Sequence, residues 1–398
     1  MKVLYITLDR SLGDPHPDVA VHTKARETYM ASFFDRYDIL ILTPKHPELV
    51  EVFRLKKMTI RASCSQSFAH MVGDGVRIGQ EIFRTSPFDL VTTQDPLLTG
   101  LTGYLLKKRL AVPLHMQIHG DYLDHPGWLR ESSLNPWYNR LGKAVLKKAD
   151  AVTTVHEDIA QKIRSKLKTA SMSVSSLSHG LGINTAHFFK RVDPHHLYPW
   201  KNTDAHPVVF FAGRMTSQKN LIELVRAVPL VLKNFPKTLF VLAGTGDLKQ
   251  RLQYLARKLD VDHQIIFPGK IPEADMPTAY QSADIFVLPS LYEGHARALM
   301  EAGVCGLPVV TTPVSGARDI VIDRRNGRIA STPAAKDLAD AMLEVIENLS
   351  DYQDRARTMV SSHAEQYDYL KQIAQLAKLI KNTQSCYVPK QYAATAIP

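Results

Sequence analysis

The sequence predicts an α/β protein made of two Rossmann-like domains, each with a parallel sheet that helices cover. Strand-like apolar runs alternate with amphipathic helical runs along the whole chain, a pattern typical of parallel sheets. At 398 residues the chain is too long for one ordinary hydrophobic core, so we expect two domains. Hydrophobic residues make up 45% of the chain and charged residues 22%, which is typical of a soluble globular protein.

The predicted elements follow from these runs in chain order. The first domain, residues 1–190, has predicted strands at residues 2–8, 38–43, 90–93, 114–118, 151–155 and 173–177. The second domain, residues 191–365, has predicted strands at residues 208–212, 239–243, 264–267, 285–288 and 309–311. We expect a junction in the polar, Pro- and His-rich stretch 190–207 and an amphipathic helix over residues 367–381, within a closing segment 366–385. Residues 386–398 are predicted to form a loose tail.

Two carboxylates eight positions apart, Glu293 and Glu301, follow the fourth strand of the second domain. A helix is predicted to begin near Ala296, and its first N–H groups, those of Arg297 and Ala298, would offer a seat for phosphate. The two acids beside that seat suit sugar hydroxyls, which bind carboxylates through charge-assisted hydrogen bonds. The alternative is one surface Glu and one Glu that stabilises a helix N-terminus.

Two cations, Arg214 and Lys219, lie in the turn between the first strand of this domain and the next helix. Arg binds oxygens in a fork and Lys supplies a point charge, so the pair suits a pyrophosphate. The alternative is a pair of solvated loop charges. A similar turn, Gly244-Thr-Gly246, follows the second strand, but it lacks the third Gly and the distant acid of the dinucleotide-binding fingerprint.

These residues carry a resemblance to a known family. The motifs that match are Gly213-Arg214 with Lys219-Asn220, Ala243-Gly-Thr-Gly246, Pro289-Ser290, Glu293 with Glu301, and Cys305-Gly-Leu-Pro308. Their order and gaps over residues 208–329 resemble the donor half of the family 4 glycosyltransferases, which are retaining enzymes that use nucleotide sugars. The resemblance implies the GT-B fold, with a cleft between two Rossmann-like domains and a C-terminal helix that crosses back to the first domain.

The resemblance also assigns roles to residues of this sequence. It implies that Arg214 and Lys219 stabilise the leaving diphosphate, that Glu301 binds the ribose and that Glu293 binds the sugar. His119, at the end of a first-domain strand, is expected to contact the transferred sugar. The remaining expected substrate contacts are Gly13, Gly213, Gly244, Lys270, Ile271, Gly294, His295, Ala296, Arg297 and Ala298.

The sequence departs from the family pattern in two places. Gly13 is the only glycine in the loop after the first strand, where the family has a Gly-Gly pair. His295 and Ala296 stand where the family has an aromatic residue and a Gly, which predicts an altered sugar preference. His16 and His22 are weak candidates for acceptor contacts. Asp260-Val-Asp262 matches the metal motif of another glycosyltransferase class, but its place in a polar turn favours solvated acids.

The predicted function is a retaining transfer of a hexose from a nucleotide-diphosphate sugar to an alcohol acceptor. The acceptor would be a glycan, a glycolipid or a polyprenyl-linked saccharide, and we expect neither a metal nor a cofactor. One alternative is an epimerase of the same fold, which would act on the donor alone. The other is a nucleotide-sugar-binding protein without catalytic activity.

The formal net charge of +10 suggests an anionic partner. The cations Arg140, Lys143, Lys147 and Lys148 have helical spacing, so an anionic membrane surface is one candidate, and a solvated face of an ordinary helix is the alternative. No motif for nucleic-acid binding is present, and we expect no such partner. Three scattered cysteines favour a reducing compartment, and we expect a first strand at the N-terminus and no signal peptide or membrane span. The expected location is therefore the cytoplasm or the inner face of the cell membrane.

Overall fold

The computed structural model describes residues 1–14, 21–45, 52–55, 57–167, 172–193, 197–202 and 206–387. Within these residues the chain forms two compact units. The first unit comprises Met1–His119, Leu134–Gly180 and the described residues from Leu370 onward, and the second unit comprises Gly120–Ser133 and Leu181–Tyr369. The predicted α/β architecture with two parallel-sheet domains is confirmed.

Each unit is built on its own sheet. The strands of the described residues, numbered in chain order, are β1 (Lys2–Thr7), β2 (Arg36–Ile41), β3 (Val52–Leu55), β4 (Met58–Ala62), β5 (Leu90–Thr93), β6 (Leu114–Ile118), β7 (Ala151–Thr154), β8 (Ser173–Ser176), β9 (Val208–Ala212), β10 (Leu239–Ala243), β11 (Ile265–Gly269), β12 (Ile285–Leu288), β13 (Val309–Thr311) and β14 (Gly327–Ile329). The first sheet has the order β3-β4-β2-β1-β5-β6-β7-β8, and only β3 runs antiparallel to its neighbour. The second sheet has the order β11-β10-β9-β12-β13-β14, with all pairs parallel.

Helices connect the strands and cover the sheets. In chain order they are α1 (Val21–Ser32), α2 (Met71–Thr85), α3 (Leu98–Leu110), α4 (Pro126–Glu131), α5 (Asn135–Leu146), α6 (Glu157–Leu167), α7 (Thr185–Phe189), α8 (Leu221–Leu232), α9 (Lys249–Lys258), α10 (Met276–Gln281), α11 (Arg297–Val304), α12 (Ala317–Ile320), α13 (Ala335–Glu347), α14 (Leu349–Tyr367) and α15 (Tyr369–Cys386). Among the helices of the described residues, none combines the length and the apolar character that a bilayer crossing requires.

The core of the second unit positions the residues that matter below. The strands at its centre are apolar on both faces because helices cover both sides of a parallel sheet. Tyr280 of α10 lies in this core, and its ring centroid is 5.4 Å from those of Phe210 in β9 and Phe286 in β12. The ring of Tyr280 is therefore held by packing against two strands, which fixes the direction of its hydroxyl group.

The structure adds elements that the sequence patterns did not predict. Strands β3 and β4 were not predicted, and β4 alternates buried and half-buried residues from Met58 to Ala62. The short strand β14 and the long helix α14 were also not predicted. The helix predicted over residues 367–381 begins at Tyr369 and ends at Cys386. Helix α14 has a weak apolar pattern because Tyr352, Ala356, His363 and Tyr367 form its buried side.

Candidate functional site

The second sheet changes its winding direction between β9 and β12. From β9 the chain proceeds outward through β10 to β11, and it then returns to place β12 on the other side of β9. Loops that leave the carboxyl ends of two such strands diverge and leave a crevice, which is where open α/β sheets bind their ligands. The loops predicted to bind the donor follow β9, β10, β11 and β12, so the sheet order brings them to this one edge.

The loop after β9 is tied to the loop after β10. Met215 N donates a hydrogen bond to Thr245 O at 2.8 Å, and Gly213 N donates to Ala243 O at 3.1 Å. Gly244 has a φ of +132°, and a Cβ at this position would lie 1.9 Å from the carbonyl oxygen of Gly213. Only glycine permits this approach, so the predicted contact residues Gly213 and Gly244 form a single rigid support at the sheet edge.

Lys219 lies in a 3-10 turn, Ser217–Lys219, and not in the first turn of α8. Asn220 follows with a φ of +53°, and α8 begins at Leu221. The amide of Asn220 donates to Pro333 O at 2.8 Å, which anchors the turn to the body of the unit. Arg214, the other predicted cation, is exposed at the start of the same loop.

Lys219 and Glu293 meet at the point where the winding changes. Lys219 Nζ lies 2.5 Å from Glu293 Oε1, and the two side chains are only 15% and 9% exposed. Ser290, which is fully buried, donates its hydroxyl to the same carboxylate oxygen at 2.6 Å. A buried carboxylate that accepts bonds from an ammonium and a hydroxyl is held in one orientation. The two residues predicted from separate motifs thus form one buried ion pair.

The start of α11 lies beside this pair in the chain. Ala296 occupies the N-cap position, and no side chain of the described residues caps the first N–H groups of the helix. These groups belong to Arg297 and its successors and carry the positive end of the helix dipole. The predicted start of this helix near Ala296 is confirmed. The predicted phosphate seat at Arg297 and Ala298 stays a prediction.

Glu301 lies one turn into α11, and side chains from α10 and α11 contact its carboxylate. Tyr280 OH donates to Glu301 Oε2 at 2.8 Å, and Arg297 Nη2 lies 3.6 Å from Oε1. Burial, and then the charge of Glu301, raise the pKa of Tyr280 far above its usual value. The phenol therefore keeps its proton at physiological pH and stays a donor to the carboxylate.

The loop between β12 and α11 is buttressed on two sides. The ring of His295 lies so close to Gly316 that a Cβ there would be 2.3 Å from His295 Nδ1, and Gly316 has a φ of +76°. Tyr292 OH donates to Glu131 of α4 at 2.8 Å, and the Tyr292 ring lies 4.7 Å from that of His125. These contacts fix the backbone on both sides of Glu293, and Gly294 between them is buried.

The remaining candidates of the second unit are more exposed. Lys270 is exposed and Ile271 is half-buried, and both follow β11 at the same sheet edge. Asp260, Asp262 and His263 are exposed in the turn before β11, and one atom of each lies within 4.8 Å of the others.

The first unit holds the other two predicted site residues. Gly13 is buried and ends a 3-10 turn, Arg10–Gly13, after β1. His119 follows β6, and its Nε2 lies 2.9 Å from Gln117 Oε1. Burial, and then the charge of Arg26, lower the pKa of His119 to about 4, so the ring is neutral at physiological pH. Of the weak acceptor candidates, His22 is half-buried in α1, and His16 lies outside the described residues.

Sequence reasoning missed the partners that hold these residues in place. Tyr280 and Glu131 carried no signal because they come from separate helices and meet the site only through the fold. Ser290 was part of a matched motif, and its position directly after β12 is a signal that its side chain reaches the sheet edge. Gln117 lies two residues before His119, but its hydrogen bonds depend on how the neighbouring strands are arranged, so the sequence alone does not reveal its role.

Comparisons with known proteins find matches to glycosyltransferases. Residues 199–362 match the family model described as "Glycosyl transferases group 1", and residues 35–170 match that of the "Glycosyl transferase 4-like domain". A relative in Mycolicibacterium smegmatis, "GDP-mannose-dependent alpha-(1-6)-phosphatidylinositol monomannoside mannosyltransferase", is 27% identical over 239 residues. That match covers 58% of this chain and 60% of the relative, which is less than two thirds of the relative's length.

Two solved structures share the whole fold. Sucrose-phosphate synthase from Thermosynechococcus elongatus matches with a TM-score of 0.82 and 18% identity, over 97% of this chain and 100% of that one. Anabaena HepE, in a complex with UDP-glucose, matches with a TM-score of 0.73 and 17% identity, over 96% of this chain and 100% of that one. These matches confirm the predicted fold class.

Proposed function

Since the chain belongs to the family 4 glycosyltransferases of the GT-B fold, we propose that it moves a hexose from a nucleotide-diphosphate sugar to an alcohol acceptor. The transfer would retain the anomeric configuration and need no metal ion. The observation that carries this proposal is the buried Lys219–Glu293 pair, which lies where the sheet reverses its winding and precedes the uncapped start of α11.

A nucleotide-diphosphate donor fits the charges at this sheet edge. Arg214 and Lys219 supply positive charge, and the N–H groups at the start of α11 supply a further anion seat. Glu301 lies deeper in the same helix, where its carboxylate would accept hydrogen bonds from ribose hydroxyls. HepE, with a similar fold, was solved with UDP-glucose, and the mycolicibacterial relative is named for GDP-mannose, which supports this class of donor.

The chemistry requires stabilisation of charge more than a protein nucleophile. The glycosidic bond of the donor breaks through an oxocarbenium-like state while negative charge builds on the leaving diphosphate. Lys219, Arg214 and the α11 N–H groups would meet that charge, which is the usual source of the largest rate effect. Glu293 would hold sugar hydroxyls, and the departing phosphate would take the proton of the acceptor alcohol on the same face of the sugar.

We propose a lipid-linked or membrane-bound saccharide as the acceptor. Helix α5 and the residues that flank it carry one exposed face, which begins with Leu134 and Trp137, 58% and 57% exposed, and continues with Arg140, Lys147 and Lys148. Exposed Trp and Leu beside basic residues suit the boundary of an anionic membrane. This would locate the protein at the inner face of the cell membrane.

Vesicle sedimentation tests the membrane contact. Trp137→Ser together with Arg140→Gln should reduce binding to anionic vesicles, and added salt should reduce the binding of the wild type. Tyr254→Ser with Arg257→Gln, on α9, removes a comparable exposed pair as a control. Equal binding of all variants to anionic and neutral vesicles would contradict the contact.

The activity itself is tested with the full chain and a panel of nucleotide sugars. We expect transfer from one of them to persist in excess chelator, and NMR of the product to show the anomeric configuration of the donor. Inversion would contradict a retaining enzyme, and a loss of activity that added metal restores would contradict the metal-free mechanism. Conversion of the donor without any acceptor would favour an epimerase.

A further inference from the structure

Polar side chains cross the middle of the first sheet, where apolar residues are usual. His115, Gln117 and His119 are alternate residues along β6 and its end, so their side chains share one face of the sheet. Thr92 of β5 lies opposite His115, and Thr153 of β7 lies opposite Gln117. A polar group in such a place destabilises the fold unless it is hydrogen-bonded, so the partners of each one are informative.

These side chains form one continuous chain of hydrogen bonds. His115 Nε2 lies 2.8 Å from Thr153 Oγ1, and His115 Nδ1 lies 2.8 Å from Thr92 Oγ1. Gln117 Nε2 donates to the same Thr92 oxygen at 3.2 Å, and Gln117 Oε1 lies 2.9 Å from His119 Nε2. These hydrogen bonds thus link the deeply buried His115 to His119 at the carboxyl edge of the sheet.

The proton positions follow from the orientation of the Gln117 amide. Its nitrogen donates to Thr92 Oγ1, whose other side-chain partner among the described residues is His115 Nδ1. If Thr92 accepted from both, its buried hydroxyl hydrogen would be unsatisfied, so that hydrogen serves Nδ1 and His115 carries its own proton on Nε2. Its carbonyl oxygen has no hydrogen and accepts from His119. A neutral imidazole carries one proton, so that of His119 lies on Nε2 and Nδ1 keeps a lone pair.

We propose that Gln117 is a positioning residue that fixes His119 as the Nε2–H tautomer, so that Nδ1 accepts a hydrogen bond from a hydroxyl of the transferred sugar. The contact with the sugar rests on the proposed function, whereas the tautomer does not. An acceptor nitrogen selects for a sugar that has a hydroxyl group at the contacted carbon, because a hydrogen or a fluorine there cannot donate.

The surroundings of His119 keep it neutral, as the proposal requires. Arg26 is the charged group whose field acts on the ring, and it opposes a second positive charge there. Burial lowers the pKa of His115 to about 3, so the His115 ring is also neutral at physiological pH. The guanidinium of Arg26 is itself paired with Glu27, with Nη2 and Oε1 3.0 Å apart.

The test is an NMR measurement on the full chain labelled with ¹⁵N-histidine, in which long-range proton couplings distinguish the two ring nitrogens. In the wild type at pH 7.5 we expect Nε2 of both His115 and His119 to be protonated and Nδ1 to be unprotonated. If the donor and acceptor roles along these hydrogen bonds were reversed, both histidines would carry their proton on Nδ1. That result, or a doubly protonated His119, would overturn the proposal.

Variants separate positioning from structure. Gln117→Met should convert His119 to a mixture of tautomers and reduce kcat/KM by roughly tenfold, the effect of one hydrogen bond. Gln117→Glu keeps an acceptor oxygen and should keep Nε2 protonated, so it tests the same point should the Met variant fail to fold. Thr154→Val is the control, because it removes a buried hydroxyl, which donates to His156 O at 2.8 Å, from the other face of the sheet. A wild-type tautomer in Gln117→Met would overturn the role of Gln117.

Addition of UDP-glucose or GDP-mannose distinguishes the two parts of the proposal. The sugar nucleotide that serves as the donor should move the Nδ1 resonance of His119, and UDP or GDP alone should move it less. If the active donor does not shift the Nδ1 resonance of His119, the proposed contact with the sugar is wrong and the tautomer assignment stands. A third outcome is that Nε2 of His119 is protonated, but nucleotide sugars shift neither ring-nitrogen resonance and give no activity. In that case the proposed function is wrong and the tautomer assignment stands.

Discussion

The two acids of the site are held by chemically different partners. Glu293 accepts from an ammonium and a buried hydroxyl, whereas Glu301 accepts from a phenol, with a guanidinium 3.6 Å away. Under the proposed mechanism this difference matches their tasks. The group beside the reacting sugar is part of a buried ion pair, and the group that would bind the ribose is held by a neutral donor.

The ion pair gives a prediction about stability. Lys219→Met should lower the free energy of unfolding by about 3–5 kcal/mol, because it leaves a buried carboxylate without its cation. Lys219→Met with Glu293→Gln should recover most of that loss, since it removes both charges. Urea unfolding of the two variants measures this difference. Equal stability of the single and double variants would show that the pair does not couple in the fold.

The phenol gives a prediction about binding. Tyr280→Phe should raise the KM for the donor several-fold and leave kcat unchanged, because the ribose is held alike before and during the reaction. Tyr352→Phe is the matched control, since Tyr352 also donates to a Glu, Glu344 Oε1 at 3.2 Å, away from the site. A fall in kcat with unchanged KM would contradict a role in ribose binding.

Sequence reasoning found the charged residues of the site but not the residues that orient them. Lys219, Glu293 and Glu301 were predictable because carboxylates and cations at strand ends and helix starts carry a chemical meaning in one dimension. Tyr280 was not, because its hydroxyl reaches Glu301 only through the packing of its ring against Phe210 and Phe286. Such a residue reads as core until the fold is known.

At the scale of elements, α11 and α13 offer a matched pair of helix starts. Both have an alanine at the N-cap, Ala296 and Ala334, in extended backbone, and neither alanine side chain caps its helix. In α13 the Glu223 carboxylate accepts from the first helical N–H, that of Ala335, at 3.0 Å, so a serine at position 334 would cap the N–H groups that follow it. One lies at the proposed phosphate seat and the other elsewhere, so the same substitution separates a helix effect from a ligand effect.

Serine at each N-cap should therefore give different results. Ala334→Ser should stabilise the protein by about 0.5–1 kcal/mol through capping and leave nucleotide affinity unchanged. Ala296→Ser should stabilise it similarly and weaken the binding of a nucleoside diphosphate, because the new hydroxyl competes for the N–H groups. Calorimetric titration and thermal unfolding measure both effects. Unchanged affinity in Ala296→Ser would argue against phosphate at this helix start.

Elements were predictable where the pattern was strong. Strands β5, β6, β9, β10, β12 and β13 have the predicted limits. Five of them are continuous runs of apolar or β-branched residues, and β6 alternates apolar residues with His115 and Gln117, which is the period of a strand. Strand β14 has three residues and begins with Gly327, which leaves no pattern to detect. The buried side of α14 consists of tyrosines, an alanine and a histidine, so its helical period is not an apolar one.

At the scale of the molecule, two buried histidines link stability to pH. The folded state takes up protons on His119 near pH 4 and on His115 near pH 3, whereas a histidine of the unfolded chain does so near pH 6.5. Below about pH 6.5 the unfolded state therefore binds more protons, and stability falls with pH. Between pH 7 and pH 5 we expect each histidine to contribute up to about 2 kcal/mol to this loss.

Replacement of one histidine measures its share. His115→Gln should make the loss of unfolding free energy between pH 7 and pH 5 smaller by about 2 kcal/mol, and the exposed His70→Gln should not. Urea unfolding at both pH values gives the comparison. An identical pH dependence in His115→Gln and wild type would contradict a neutral, buried His115.

The assignment of Gly120–Ser133 to the second unit limits how this chain can be recombined. The polypeptide passes from one unit to the other after residues 119, 133, 180 and 369, so no single cut separates the two units. In a chimera joined only near Gly180, residues 120–133 would come from one parent and the rest of the second unit from the other. Tyr292 would then face a foreign residue in place of Glu131, and the loop that carries Glu293 would lose a brace. Exchange of donor halves between relatives should therefore succeed only when α4 moves with them.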